Sequence, residues 1–121
     1  MRPDSVTTTL LLDCYGELLT EKQRTCVDLS CNQDLSLAEI AENEGISRQG
    51  VHDSIARAEA LLQNYEEKLG CVARALRTRQ ALELLGRAAG ALAARDDPAS
   101  ARAAEQVRAA AELLKEQENG I

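Results

Sequence analysis

The chain has 121 residues and 45% of them are hydrophobic, which excludes a disordered chain and allows one compact domain or a small domain with an extension. Aromatic residues make up only 2%, so Leu, Ile, Val and Ala must form the core, as in closely packed helices. Proline occurs only at Pro3 and Pro98, and long helices can run between these two positions. The composition therefore predicts an all-α protein.

The net charge of −6 is unevenly distributed along the chain. Residues 1–70 contain 13 acidic and 6 basic side chains, a net charge of −7, whereas residues 71–121 contain 7 and 8, a net charge of +1. Lys and Arg supply most of the non-specific affinity for nucleic acid because they neutralise phosphates. The charge of the N-terminal half therefore argues against a simple DNA-binding protein.

The four cysteines, Cys14, Cys26, Cys31 and Cys71, lack the two-residue gap of a zinc site, and His52 is the only histidine. We therefore expect structural thiols in a reducing cytosol, with no metal and no other cofactor. No catalytic motif or glycine-rich phosphate loop is present, so neither an enzyme nor a small-molecule substrate is expected. The absence of a signal peptide pattern and of a membrane-length apolar run predicts a soluble cytoplasmic protein.

The first helix is predicted over Val6–Leu19, with Leu18 among its buried residues. A second helix begins at Thr20, because Thr20 and Gln23 match a capping box in which each side chain bonds the other residue's backbone N–H. It ends near Asn32–Asp34, a cluster of turn-forming residues. Two helices are therefore expected before residue 36.

Residues 36–55 have the sequence Ser-Leu-Ala-Glu-Ile-Ala-Glu-Asn-Glu-Gly-Ile-Ser-Arg-Gln-Gly-Val-His-Asp-Ser-Ile. Ser36 begins a third helix with a second capping box, Gly45 ends it in a left-handed conformation, and Ser47 caps a fourth helix. A small Ala41 where the helices cross and an apolar Ile46 after the glycine complete the spacing of a helix-turn-helix unit. The motif predicts an N-terminal helical domain over residues 1–61.

The second helix of such a unit usually enters the DNA major groove. Its exposed N-terminal turns carry Arg48, suited to guanine, Gln49, suited to adenine, and His52. Ser36 and Ser47 are candidates to hold phosphates at their helix N-termini. The candidates to neutralise the DNA backbone are Lys22, Arg24 and Arg57. The alternative is that Arg48 and Arg57 pair with neighbouring acids on a solvated surface.

The fourth helix has no stop signal before Gly70. Apolar residues recur at gaps of three and four across this glycine. They are Leu62, Tyr65, Leu69, Val72 and Leu76. This heptad spacing predicts a seam along which one helix packs on another. We therefore expect residues 62–121 to form a long helical extension that makes a homodimer through this seam.

After Arg79 the apolar positions resume in another phase, which indicates a kink or a change of partner. They are Leu82, Leu85, Ala89 and Leu92. Asp97 followed by Pro98 predicts the cap and the first residue of a last helix. Its apolar stripe is Ala103, Val107, Ala110 and Leu114. A hairpin of two helices is the simplest arrangement of this region.

Residues 71–95 contain five arginines and a single acid, Glu83. The basic stripe Arg74–Arg79 is suited either to RNA or DNA phosphates or to neutralising the acidic half, within one chain or across a dimer. No aromatic residues that could stack on bases are interleaved with it, which favours the second interpretation.

Several segments resemble the YlxM family of bacterial helix-turn-helix proteins. They are Leu19–Gln23, Ser36–Glu42, Gly45–Gln49 with Val51, Asp53 and Ile55, and Tyr65–Leu69. The motif also resembles region 4 of sigma factors. The resemblance implies an all-helical bundle with a sigma-region-4-like domain, DNA binding, and a link to the signal recognition particle pathway. The chain departs from the family pattern at Glu44, Gly50 and His52.

Two functions are compatible with these patterns. The first is a nucleic-acid-binding regulatory protein associated with protein targeting by the signal recognition particle. The alternative is a protein-interaction module that binds no DNA and contacts the signal recognition particle, through its protein or its RNA, or RNA polymerase. The acidic N-terminal half suits a basic protein partner, whereas Arg48 and Gln49 suit DNA.

Overall fold

The computed structural model describes the backbone of residues 5–119 and the side chains of residues 6–116. Its helices are α1, Ser5–Tyr15; α2, Glu21–Cys31; α3, Leu37–Glu44; α4, Arg48–Leu69; α5, Cys71–Ala93; and α6, Pro98–Asn119. No strand occurs among the described residues. The predicted all-α helix-turn-helix fold is confirmed. The chain divides into two compact units, and the boundary lies between Val72 and Ala73.

The first helix is shorter than the predicted range Val6–Leu19. It ends at Tyr15, and a 3-10 turn over Gly16–Leu18 follows, closed by a bond from the Leu19 N–H to the Gly16 carbonyl (3.1 Å). The low helix propensity of glycine explains why the α-helix ends here. As a consequence Leu18 is exposed, contrary to prediction, whereas Leu19 enters the core.

The predicted helix starts are confirmed by their hydrogen bonds. At α2, the Gln23 N–H donates to Thr20 Oγ1 (3.2 Å) and the Thr20 N–H donates to Gln23 Oε1 (3.0 Å). At α6, the Ser100 N–H donates to Asp97 Oδ1 (2.7 Å), and this bond lowers the pKa of the Asp97 carboxyl. Side-chain capping therefore determines where these helices begin.

The N-terminal unit is built around α4, which packs against α1, α2 and α3. Its largest fully buried side chains come from three helices. They are Cys26 and Val27 of α2, Ile40 of α3, and Val51 and Leu62 of α4. The core is aliphatic, with Tyr15 as its buried aromatic side chain. This packing holds the helix-turn-helix unit in place against α1 and α2.

The fourth helix ends at Gly70, whose φ of 62° is left-handed, and α5 begins directly at Cys71. The expected seam therefore does not continue along one helix. Leu62, Tyr65 and Val72 pack in or against the core of the N-terminal unit, while Leu69 and Leu76 are 52% and 42% exposed. Because three of these five side chains are used within one chain, the seam does not form a free surface.

The C-terminal unit contains α5 from Ala73 onward and α6. On α5 the buried and half-buried residues follow the predicted second phase, with Leu82, Leu85 and Leu92 half-buried and Ala89 buried. On α6 the stripe differs from the prediction at one position. Ala110 is exposed, and Ala111, on the next position of the same turn, is half-buried in its place.

All four cysteines are free thiols: Cys26 and Cys31 are buried, and Cys14 and Cys71 are half-buried. Burial, together with the neighbouring Cys71 thiol, raises the pKa of Cys14 to about 12. Such a thiol stays protonated at neutral pH and is a poor nucleophile. Among the described helices, none is long and apolar enough to cross a membrane.

Candidate nucleic-acid interface

The turn between α3 and α4 is set by Gly45. Its φ is 67°, its N–H donates to the Ala41 carbonyl, and the Ile46 N–H donates to the same oxygen (3.2 Å). A Cβ added at Gly45 would have no heavy atom within 4 Å, so the backbone conformation and not space requires glycine here. Ile46 then packs against the core. The turn thereby directs α4 away from α3 as a helix-turn-helix unit requires.

Inward anchors fix the rotation of α4. Val51, Ile55, Ala58 and Leu62 are buried. With these residues facing the core, the helical period leaves the first two turns of the opposite side in solvent. Arg48, Gln49, His52 and Asp53 are all exposed there.

A local hydrogen-bond network orders the polar side chains of these turns. Gln49 Nε2 donates to Asp53 Oδ1 (2.9 Å), and His52 Nδ1 lies 3.5 Å from the same oxygen. Asp53 therefore orients Gln49 and places a negative charge beside it. Gln49 must exchange this bond before it can read the edge of an adenine.

The two arginines of α4 form no ion pair or hydrogen bond with the described part of the chain, although Arg48 and Arg57 lie on an acidic domain. The alternative interpretation was that neighbouring carboxylates neutralise these arginines. The described contacts do not include such pairs. Arg57 stands nine positions after Arg48, which is about two and a half turns of helix, so the two lie on opposite edges of the exposed arc. Both guanidinium groups are available to an external anion.

The helix N-termini differ in how well they would accept a phosphate. The first turn of α3 contains Glu39, whose Oε1 accepts the Ser36 N–H (3.0 Å), a bond that lowers the pKa of this carboxyl. The first turn of α4 contains no acid, and its Ser47 Oγ accepts only the Gly50 N–H (2.9 Å) among the described groups. An anion at α3 would meet a carboxylate, whereas at α4 it would meet Arg48.

The other two basic candidates lie on α2. Lys22 and Arg24 are exposed, and their spacing of two residues directs them about 200° apart around the helix. They therefore project from nearly opposite sides of α2. The structure does not bring them together into one patch.

The start of α5 is stabilised by a hydrogen-bonded arrangement that the sequence patterns did not predict. Tyr15 OH donates to Glu66 Oε1 (2.7 Å) and accepts the Cys71 N–H (2.9 Å), while the Val72 N–H donates to Glu66 Oε1 (2.9 Å). Burial and the bond to Glu66 raise the pKa of Tyr15 to about 12. These side chains cap α5 from a distance in sequence. The sequence offered only Gly70, a residue typical of helix ends, with no Ser, Thr, Asp or Asn beside it to cap a following helix.

No group of three or more His, Cys, Asp or Glu residues within the described part of the chain could hold a metal ion. The fold and the exposed start of α4 define a helix-turn-helix protein. A family model described as "Putative helix-turn-helix protein, YlxM / p13 like" (UPF0122) matches residues 4–93. The chain belongs to this family, as the resemblance of its motifs predicted.

Curated relatives agree with this assignment. The chain is 65% identical over 60 residues to a UPF0122 protein of Clostridium kluyveri, an alignment covering 50% of this chain and 54% of that protein. It is 47% identical over 102 residues to a UPF0122 protein of Symbiobacterium thermophilum, covering 84% and 92%. The chain thus spans about half of the first relative and nearly all of the second.

Proposed function

We propose that the protein binds nucleic acid through the N-terminal turns of α4. The observation that carries this proposal is Arg48, an exposed arginine without an ion pair in the described chain, at a helix start that has no acid in its first turn. A guanidinium group in this place is suited to the O6 and N7 atoms of guanine in the major groove. The family description as helix-turn-helix proteins supports the same conclusion.

The remaining residues would have different roles. The Ser47 hydroxyl and the free N–H groups of the first turn of α4 would hold one phosphate, and Arg57 would neutralise another. Gln49 would contact a base only after leaving Asp53. Since residues 1–70 carry a net charge of −7, non-specific affinity is expected to be low. Its salt dependence should be shallow, because few phosphates would be neutralised.

Fluorescence-anisotropy titrations across a salt series test the proposal, with a mixed pool of duplex DNA and with signal recognition particle RNA as probes. We expect Arg48→Ala to weaken binding by about tenfold or more and to relax any preference for guanine. Arg57→Ala should weaken binding to all sequences equally and reduce the salt slope by about 1. Arg108→Ala, an exposed and unpaired arginine of α6, is the matched control and should have no effect. Absence of binding below about 10 μM even at low salt would exclude the proposal.

The acidic surface favours a second candidate, a protein-interaction module. A basic partner such as the protein component of the signal recognition particle, or RNA polymerase, would be attracted by the net charge of −7. In this case neither nucleic acid would bind, whereas the protein partner would bind with an affinity that salt weakens. Either activity would be exercised in the cytoplasm, where the free thiols remain reduced.

A further inference from the structure

Beside its packed stripe, α6 carries a second line of uncharged residues, of which all but the half-buried Ala103 are exposed. On α6, Ala99, Ala103, Gln106, Ala110 and Leu113 recur at alternating gaps of four and three. Such spacing places them along one side of the helix, roughly a quarter turn from the stripe that contains the buried Ala104. None of these five residues carries a charge. Leu113 is 67% exposed.

The fifth helix has a matching stripe. Leu84, Ala88 and Ala91 are exposed and lie beside the line of Leu85 and Ala89, which are half-buried and buried. Leu84 is 65% exposed. The stripe ends seven residues before Leu84, at the charged residue Arg77.

The two stripes lie on the same side of the unit. We infer an antiparallel hairpin, because helices of 23 and 22 residues joined by only four residues lie in one compact unit. Each stripe is rotated in the same sense from the buried line of its own helix, and reversing one helix then brings both stripes to one face. We call this the uncharged face. The charged residues Glu83, Arg108 and Glu112 lie on the other side.

We propose that the uncharged face binds a second copy of this chain, so that two hairpins form an antiparallel four-helix bundle. A two-fold axis parallel to the helices would place α5 of each copy on α6 of the other. This proposal does not depend on nucleic-acid binding. It replaces the seam through Leu62 and Val72, which the core of one chain already buries.

Charge complementarity argues for a second copy as the occupant. Residues 71–93 contain four arginines and one acid, whereas residues 98–119 contain four acids and three bases. Arg77 stands 12 residues before Ala89, and Glu116 stands 12 residues after Ala104, so the two lie at the same level of the hairpin. Neither forms an ion pair within the described residues. In the two-fold arrangement Arg77 meets the partner's Glu116.

The size of the face is sufficient for a specific dimer. At 1.5 Å per residue, the stretch from Ala99 to Glu116 is about 25 Å long, and two adjacent helices are about 20 Å wide. Each copy would therefore contribute about 500 Å², and the total of about 1,000 Å² reaches the lower bound for specific interfaces.

Light scattering and sedimentation equilibrium of the full chain test the proposal. We expect the wild type at about 100 μM to have twice the 13.1 kDa mass of one chain. Leu113→Glu and Leu84→Glu should each raise the dimer dissociation constant by about 100-fold or more, because a charge would enter a buried apolar interface. Leu18→Glu, a change of a leucine of the N-terminal unit that is 57% exposed, should leave the dimer unchanged. Far-UV circular dichroism verifies that each variant is folded.

A charge exchange tests the two-fold arrangement itself. Arg77→Glu and Glu116→Arg should each weaken the dimer by about tenfold, and the double variant should restore it, since it re-forms the pair with reversed signs. A monomeric wild type, a dimer that survives Leu113→Glu, or a dimer lost in Leu18→Glu would overturn the proposal. Failure of restoration in the double variant would exclude the pairing of α5 with the partner's α6.

Discussion

Single residues explain where helices of this chain end and begin. Gly45 and Gly70 adopt left-handed φ values of 67° and 62°, and each ends a helix. Asp53 holds Gln49 on the exposed side of α4, and Tyr15 with Glu66 satisfies the first N–H groups of α5. In each case one side chain or one backbone conformation satisfies polar groups that a helix end leaves unpaired.

Tyr15 should contribute to stability through its hydroxyl. We expect Tyr15→Phe to lower the free energy of unfolding by about 1–3 kcal/mol, because Glu66 loses a donor and the Cys71 N–H loses its acceptor in a partly buried site. Urea denaturation measures this change. Tyr65→Phe is the matched control, since the Tyr65 hydroxyl has no partner among the described groups, and it should cost less than about 0.5 kcal/mol.

The raised pKa of Tyr15 predicts that its contribution to the free energy of unfolding decreases at alkaline pH. Its folded pKa of about 12 lies above the ordinary value of 10.0, so the folded state favours the protonated phenol. The stabilisation is complete below pH 10 and is lost as the pH rises toward 12. We therefore expect the difference in unfolding free energy between wild type and Tyr15→Phe to shrink over this interval. A difference that stays constant from pH 8 to pH 12 would contradict this interpretation.

Whole elements differ in how far their stability depends on local sequence. The starts of α2, α3, α4 and α6 all have side-chain caps within three residues. The start of α5 depends on α1 and the end of α4 instead. The first four are properties of short segments, whereas α5 begins correctly only when the N-terminal unit is folded.

Substitution of glycine by alanine should change the free energy of unfolding in opposite directions in a turn and inside a helix. Gly45→Ala should lower the unfolding free energy by about 1 kcal/mol, because a left-handed φ is strained for alanine even where no atom is near. Gly86→Ala, inside α5 with nothing within 4 Å of an added Cβ, should raise it by about 0.5–1 kcal/mol. Thermal unfolding followed at 222 nm compares the two variants. If both variants were stabilised, or both destabilised, the explanation from backbone conformation would be refuted.

At the level of the whole molecule, charge and apolar surface are segregated along the chain. The acidic residues are concentrated before residue 71, and the exposed leucines of the uncharged face lie after it. Nucleic-acid contact and self-association would therefore use different units. This separation allows Arg48→Ala and Leu113→Glu to be interpreted independently of each other.

Self-association should also influence thermal stability. If two copies fold together, the melting temperature of the wild type should rise with protein concentration, because binding of the folded state stabilises it by mass action. The Leu113→Glu variant should melt at one temperature over a hundredfold range of concentration, about 1–100 μM. Differential scanning calorimetry measures both. A wild-type melting temperature that does not change with concentration would contradict the dimer.

Sequence alone was sufficient for most of the fold. Thr20, Ser36, Ser47 and Asp97 identify helix starts because capping is a contact between residues three apart. Gly45 identifies a helix end for the same local reason, whereas the heptad spacing was predicted to continue across Gly70. The predicted end of α1 was wrong, because a glycine such as Gly16 is tolerated inside many helices. The 3-10 turn is evident only in the structure, where Gly16 lies beside Leu12 and Leu19 is extended.

What the sequence by itself determined was the helical class, the motif and its exposed candidates Arg48, Gln49 and His52, because hydrophobic period and capping are local properties. Only the tertiary structure decided which apolar residues are already used. The heptad of Leu62, Tyr65 and Val72 has the spacing of a partner seam, yet these side chains fill the core around α4. Apolar spacing predicts that a side chain is buried against another element. Whether that element belongs to the same chain or to a partner depends on the tertiary structure.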